Sequence, residues 1–384
     1  MLNCLSMLGL SRDVKLLPNL LFVLQMGAIF VSNLPRFAGI HFLYGQFVLA
    51  LFSFVYIYRS NKHSKILYGY LRIYAIYSAC FIIGFLINGN AHIREVVNGV
   101  LIIPIIPLLL YSFHISSLVA FFQFMGVCGY IIMVILTGSV PIEEITYNSS
   151  NYLSYYAMLY SYPYYVSCYY EKKGPSIIVP LVSFFIALVA LGRGGIISTG
   201  LVLLLFLFSK INTQGAVRWL YIFSMIILAG IVLAVGISDN LSMFLEASME
   251  KFDAYGMNSR GRTLSYELYL KSLLNPFYLI AGTPISKIPY IYNYLEGHVH
   301  NSWLTLHSRI GIYSVFILYY VVLGLKKMYK KKQYYIFVIL LSLLLSGFTN
   351  TDIAGSMTGG DSYLFFIIIL YLEFKYYIVH KFYS

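Results

Sequence analysis

Apolar stretches of about 17–25 residues recur along the whole chain, and no other feature restricts its fold as much. Each has the length a helix needs to cross about 30 Å of hydrocarbon. Membrane-spanning strands would instead run for about 10 residues with alternating polarity, and that alternation is absent. Of the 384 residues, 60% are hydrophobic and only 10% are charged, against about 25% charged in a soluble domain. The sequence therefore predicts an all-α integral membrane protein with about 12 transmembrane helices. The approximate spans are 16–33, 38–58, 66–88, 97–111, 115–137, 153–170, 176–191, 195–209, 219–237, 303–324, 333–348 and 362–379. The fourth is short and is interrupted by Pro104 and Pro107. Residues 1–384 read as a single polytopic membrane domain with no internal repeat and no signal-peptide cleavage site.

A net charge of +12 invites a nucleic-acid partner, but the distribution of that charge excludes one. The basic residues gather between apolar runs: Arg59, Lys62 and Lys65; Lys172 and Lys173; Lys210 and Arg218; then Lys326, Lys327, Lys330, Lys331 and Lys332. These are the flanks that the positive-inside rule assigns to cytoplasmic loops. With both termini in the cytoplasm, about seventeen of the 26 basic residues and three of the 14 acidic ones face that side. The outer side then holds about nine basic and eleven acidic residues. Cys4, Cys80, Cys128 and Cys168 lie in or beside apolar runs without metal-type spacing, as buried thiols do.

The stretch from Gly174 to Lys210 would be about 50 Å long as one helix at 1.5 Å per residue. It would also put Lys172 and Lys210 on opposite sides of the membrane. Two short spans turning at Gly192-Arg193-Gly194-Gly195 remove both problems and leave the turn outside. The largest hydrophilic segment, 238–302, is a periplasmic or extracellular loop on the same side. Within it, residues 262–280 carry apolar side chains at helical spacing, which predicts an amphipathic helix against the membrane, ended or kinked at Asn275-Pro276. Tyrosine is abundant, at 38 residues. Tyr155, Tyr156, Tyr160, Tyr162, Tyr164 and Tyr165 sit near span ends, where tyrosine ordinarily anchors at the lipid interface. The alternative is that some of these rings line a path for sugars.

Three groups of residues could carry chemistry on the outer face. Arg193 sits at membrane depth, where a guanidinium needs a partner or solvent, and its flanking glycines would let a large headgroup come close. The bland account is an arginine snorkelling to phospholipid phosphate. Arg260 and Arg262 lie in Asn258-Ser259-Arg260-Gly261-Arg262, and converging arginine forks suit a pyrophosphate. Ordinary loop solubility explains them as well. His298 and His300 form a His-x-His pair just before the tenth span. Either could accept a proton near neutral pH, although two interfacial histidines would look the same. No cysteine or carboxylate ligand set stands near the pair to complete a metal site. The chain lacks a phosphate-binding Gly-rich loop, a nucleophile elbow and an HExxH motif.

Taken together, these segments make the chain resemble the O-antigen ligase and polymerase superfamily of bacterial polysaccharide assembly over about residues 176–325. Leu191-Gly192-Arg193-Gly194-Gly195 is similar to the family's Ser/Gly-Arg-Gly turn between two membrane helices. Arg262 with Tyr266, then Asn275-Pro276-Phe277 and Ala281-Gly282, resembles its Arg-x3-aromatic helix and Pro-rich turn. His300-Asn301-Ser302-Trp303-Leu304, with Gly311 ten residues after Asn301, is similar to its His-Asn motif. The ligase pattern continues to a second glycine three residues further on, where this chain has Ser314, and this departure favours polymerase over ligase.

The resemblance implies glycosyl transfer from an undecaprenyl-pyrophosphate-linked oligosaccharide, without nucleotide sugar, metal or other cofactor. In the polymerase form the growing chain moves onto the non-reducing end of a fresh lipid-linked repeat unit. The product would be O-antigen of lipopolysaccharide, capsule or exopolysaccharide. Arg193 and Arg262, helped by Arg260, would bind the pyrophosphate and stabilise the leaving group. His300, or His298 in its place, would deprotonate or orient the acceptor hydroxyl, with Asn301 contributing to substrate binding. Arg309, inside the tenth span, is expected to be structural. The implied setting is the bacterial inner membrane, with membrane lipids and a chain-length regulator as further partners. The alternatives are the ligase, which passes the chain to lipid A-core, and a lipid-linked oligosaccharide flippase or other transporter. Transporters hold their charged sites near the midplane, whereas the arginines here gather outside.

Overall fold

The structure is a computed structural model that describes residues 16–32, 34, 40–89, 96–137, 151–190, 193–211, 260–294, 299, 301–346 and 362–383. Every regular element among the described residues is a helix. The first three are α1 (Leu16–Ser32), α2 (Ile40–Asn61) and α3 (Lys65–Asn88). Ser64 starts α3 by accepting from the Leu67 N–H at 3.3 Å, and Gly89, at φ 62°, ends it in the left-handed region. A π-helical turn (Asn98–Ile102) and α4 (Ile105–Phe113) follow, then α5 (Ser117–Thr137). The break between the π turn and α4 falls at Pro104, which removes one backbone donor. By length and composition α3 and α5 are able to cross a membrane. Both expose large apolar side chains, among them Ile83 and Leu86 on α3 and Phe122 and Leu136 on α5.

Next come α6 (Asn151–Tyr170), α7 (Ile178–Ala190) and α8 (Arg193–Ile211). The stretch from 174 to 210 is thus two helices, and the turn residues 191–192 lie outside the described set. Residues 219–237, expected as a ninth span, lie outside it as well. The predicted amphipathic helix is two shorter ones, α9 (Arg260–Ser272) and α10 (Pro276–Ala281). Asn275 separates them by capping α10, its side chain accepting from the Phe277 N–H at 3.0 Å. A 3-10 turn (Ile285–Lys287) and α11 (Pro289–Tyr294) complete that segment. The chain ends with α12 (Ser302–Ile310), α13 (Tyr313–Lys330), α14 (Tyr334–Ser346) and α15 (Ser362–Tyr383). The expected span at 303–324 is therefore broken. Gly311 takes φ 57° between α12 and α13, a conformation open to glycine and strained for other residues.

Helix α6 lies at the centre. From Leu153 to Cys168 every residue is buried, including all six tyrosines predicted to anchor at the interface. That expectation is corrected because α6 is enclosed by its neighbours: α5 and α7 along its length, and α14, α8 and α4 more locally. Its phenols find partners inside the protein. The Tyr160 hydroxyl donates to the Met26 carbonyl at 2.6 Å, and that of Tyr162 donates to Ser362 Oγ at 2.8 Å. A single large apolar core runs from Leu21 to Phe374, and a smaller second one joins Tyr269, Ile285, Ile288, Ile291 and Val299.

Candidate functional site

The second core is what organises the candidate site. Helix α9 begins with Arg260-Gly261-Arg262 and turns Ser265 and Tyr269, one turn apart, inward. Ser265 Oγ donates to the carbonyl of Val299 at 3.3 Å, and Val299 is fully buried against Tyr269. The helix that carries Arg262 is thereby tied to the residue that His298 and His300 flank.

Three connected segments meet beside this core. Asn88, at the end of α3, donates through Nδ2 to the carbonyls of Ala281 (2.9 Å), Gly282 (3.2 Å) and Ser308 (3.3 Å). Gly84, one turn earlier on α3, lies so close to α12 that a Cβ there would overlap the Arg309 carbonyl oxygen and lie 2.9 Å from its carbon. A Cβ on Gly282 would lie 2.6 Å from the carbonyl oxygens of His307 and Ser308. The N–H of Ile312 closes the junction by donating to the Ile280 carbonyl at 3.0 Å. The Ala281-Gly282 turn and the Gly311 break, read separately in the sequence, are therefore parts of one contact.

His307 pins this junction to α9, and sequence reasoning did not single it out. A backbone carbonyl can only accept, so Nε2 donates its proton to Leu279 O at 3.0 Å. Nδ1 of the neutral ring then accepts from the Tyr269 hydroxyl at 2.9 Å. A sequence signal did exist: together with His307, Thr305, Ser308 and Arg309 make four polar residues within five positions of a mostly apolar span. All are buried along with His307. Arg309, expected to be structural, is buried with its guanidinium carbon 6.0 Å from the centre of the Phe81 ring.

The expected site residues are placed as follows. Arg193 is the first residue of α8, and Gly195 packs so closely on Ser154 of α6 that an added Cβ would overlap Ser154 Oγ. Arg260 and Arg262 occupy the first turn of α9. The side chains of these three arginines lie outside the described residues, as do His298 and His300 altogether. Asn301 is described, and its Oδ1 caps α12 by accepting from the N–H groups of Trp303 (3.0 Å) and Leu304 (3.2 Å). Capping alone accounts for an asparagine there. Among the described residues no group of three or more His, Cys, Asp and Glu side chains could hold a metal ion. Comparison with family models, with curated proteins and with solved structures finds no match to this chain.

Proposed function

We propose that the chain is an oligosaccharide repeat-unit polymerase of the bacterial inner membrane. On this reading it has twelve spans, both termini in the cytoplasm, and the 238–302 segment on the outer face. The observation that carries the reading is the Ser265–Val299 hydrogen bond, because it holds the helix of Arg260 and Arg262 beside the segment of His298, His300 and Asn301. The start of each arginine-bearing helix adds support. Both α8 and α9 begin at a candidate arginine with no acidic residue in the first turn. Free N–H groups and the positive end of the helix dipole then act on an anion together with the guanidinium. A lipid-linked pyrophosphate at the membrane surface is an anion of the right kind.

In the proposed reaction a hydroxyl at the non-reducing end of a fresh lipid-linked repeat unit attacks the anomeric carbon of the growing chain. Its proton passes to His300, or to His298. The bond from that carbon to the pyrophosphate breaks, and undecaprenyl pyrophosphate leaves with its charge stabilised by Arg193, Arg262 and Arg260. The test is to delete the gene and restore it as wild type, Arg262→Ala or His300→Ala, then to run the surface polysaccharide on a gel. Core bearing one repeat unit in the deletion, and no ladder from either variant, is the expected result. Bare core with accumulating lipid-linked polymer would make the protein a ligase. A full ladder from both variants would refute the site.

A further inference from the structure

The end of the bundle away from the Gly311 turn gathers basic side chains from α13, α15 and α3. Lys327 on α13 lies about 24 Å from that turn at 1.5 Å per residue, and the proposed reaction does not use it. Its Nζ sits 4.6 Å from the centre of the Tyr371 ring of α15. One turn further along α15, Lys375 shares the face of Tyr371, and its Nζ sits 6.0 Å from the centre of the Tyr376 ring. Tyr376 in turn packs on α3, where a Cβ on Gly69 would lie 3.3 Å from the Tyr376 hydroxyl and 3.4 Å from Leu372. Lys65 and Arg72, one turn to either side of Gly69, share its face of α3. Printed through these contacts, the bases of the three helices form one continuous set. Lys65, Arg72 and Lys375 are exposed, and Lys327 is half-buried.

Among the described residues none of these four bases enters an ion pair; the pair that forms joins Lys173 to Glu171. Glu373, two residues from both Tyr371 and Lys375, lies on the other side of α15. The helix dipole accounts for Lys327, because a positive charge is favourable in the last turn of α13. It does not account for Lys65, the first residue of α3, where a positive charge opposes the dipole and no acidic residue stands in the first turn. An anion held between the helix ends would balance Lys65 as well as the others. The same helices show what kind of anion fits. Exposed apolar side chains continue from the bases: Ile76 follows Arg72 on α3, and Val322 and Tyr319 precede Lys326 on α13. A free phosphate or an acidic peptide would leave them uncovered. A phospholipid covers them with its acyl chains while its phosphate meets the bases. A zwitterionic headgroup would bring its own ammonium into the cluster, and an anionic one does not.

We infer that Lys65, Arg72, Lys327 and Lys375 form a binding site for the headgroup of an anionic phospholipid, where the ends of α3, α13 and α15 meet. The inference rests on the membrane setting and is independent of the polymerase reaction. Purified protein in detergent would be titrated with phosphatidylglycerol, phosphatidylcholine and inorganic phosphate, and followed by thermal melting and by native mass spectrometry, which counts bound lipids. Phosphatidylglycerol should raise the melting temperature saturably and stay bound in the mass spectrum, and the other two should do neither. Lys327→Gln combined with Lys375→Gln should weaken phosphatidylglycerol binding about tenfold or more, since each base near an anionic headgroup contributes. Lys65→Gln combined with Arg72→Gln alters exposed side chains alone and should weaken it likewise, which keeps the test open should the first pair fail to fold. Lys271→Gln, which removes an exposed lysine of α9, should bind as wild type does. Equal binding of phosphatidylcholine, or an equal response to inorganic phosphate, would overturn the site. So would unchanged affinity in the double variants, or an equal loss in Lys271→Gln.

Discussion

Replacing Gly84 by alanine would place a methyl group where α3 meets the backbone of α12. The new Cβ would overlap the Arg309 carbonyl oxygen and sit 2.9 Å from its carbon, and neither is the end of a flexible side chain. The helices would have to separate by roughly an ångström or more to restore van der Waals contact. Forced overpacking of this kind costs about 1–3 kcal/mol. The three Asn88 bonds, already 2.9–3.3 Å long, would lengthen with the separation and add to the loss. A matched control exists in Gly126 on α5, where an added Cβ meets nothing within 4 Å. Alanine there should be neutral or stabilising by up to about 1 kcal/mol, from helix propensity alone. Thermal unfolding in detergent would read both. Gly84→Ala should melt well below wild type and Gly126→Ala at or above it. Equal melting temperatures for the two variants would refute the close α3–α12 contact.

Other consequences can be measured on the same preparation. Tyr269→Phe removes the donor to His307 Nδ1 and leaves a buried acceptor unmet, which should cost about 1–3 kcal/mol in unfolding experiments; an unchanged melting temperature would mean the pair does not hold α9 to α12. Asn301→Ala should lose about 0.5–2 kcal/mol of capping, whereas Asn301→Asp keeps the accepting oxygen and should restore stability. If Asn301→Asp is stable but makes no polymer, the amide nitrogen serves the substrate as well. Glu171 gives a pH dependence. Burial pushes its carboxyl up, but Lys173 at 2.8 Å and two hydrogen bonds from Ser117 more than offset this and hold it below the usual glutamate range. A depressed folded value means the stabilisation is complete above the ordinary glutamate pKa of about 4.3. It is lost as pH falls through the lower folded value. Glu171→Gln should flatten that acid limb of the melting curve, and an unchanged acid dependence would count against the Lys173 and Ser117 contacts.

The parts of the fold that were legible in the sequence are those set over a few turns of chain. Pro104 divides the fourth apolar run, Asn275-Pro276 divides the 262–280 segment, and the Gly174–Lys210 stretch forms two helices; at the two prolines the reason is local, a missing backbone donor and a capping side chain. The break at Gly311 is equally local, yet an unbroken span was expected there. Glycine is common inside apolar helices, and only the backbone of Ile280 pressed against it shows why the chain bends. The six tyrosines of α6 were misread for a related reason. Position near the end of an apolar run implies an interface only if the helix faces lipid, and α6 is surrounded by other helices. Within the candidate site, Asn301 and Gly311 were noticed as pattern, and their structural roles as cap and hinge were not.

What the sequence settled alone is that apolar segments of helical length, punctuated by proline, glycine and charge, build this chain. Hydrophobic length and backbone chemistry are properties of neighbouring residues. Which of those helices is enclosed, and which glycines must stay small, depends on pairs such as Asn88 with Gly282 and Ser308, separated by 194 and 220 residues. No local pattern encodes such a pair. Only the packed arrangement brings the end of α3 against α10 and α12, and only there does His307 acquire the two partners that hold α9 in place.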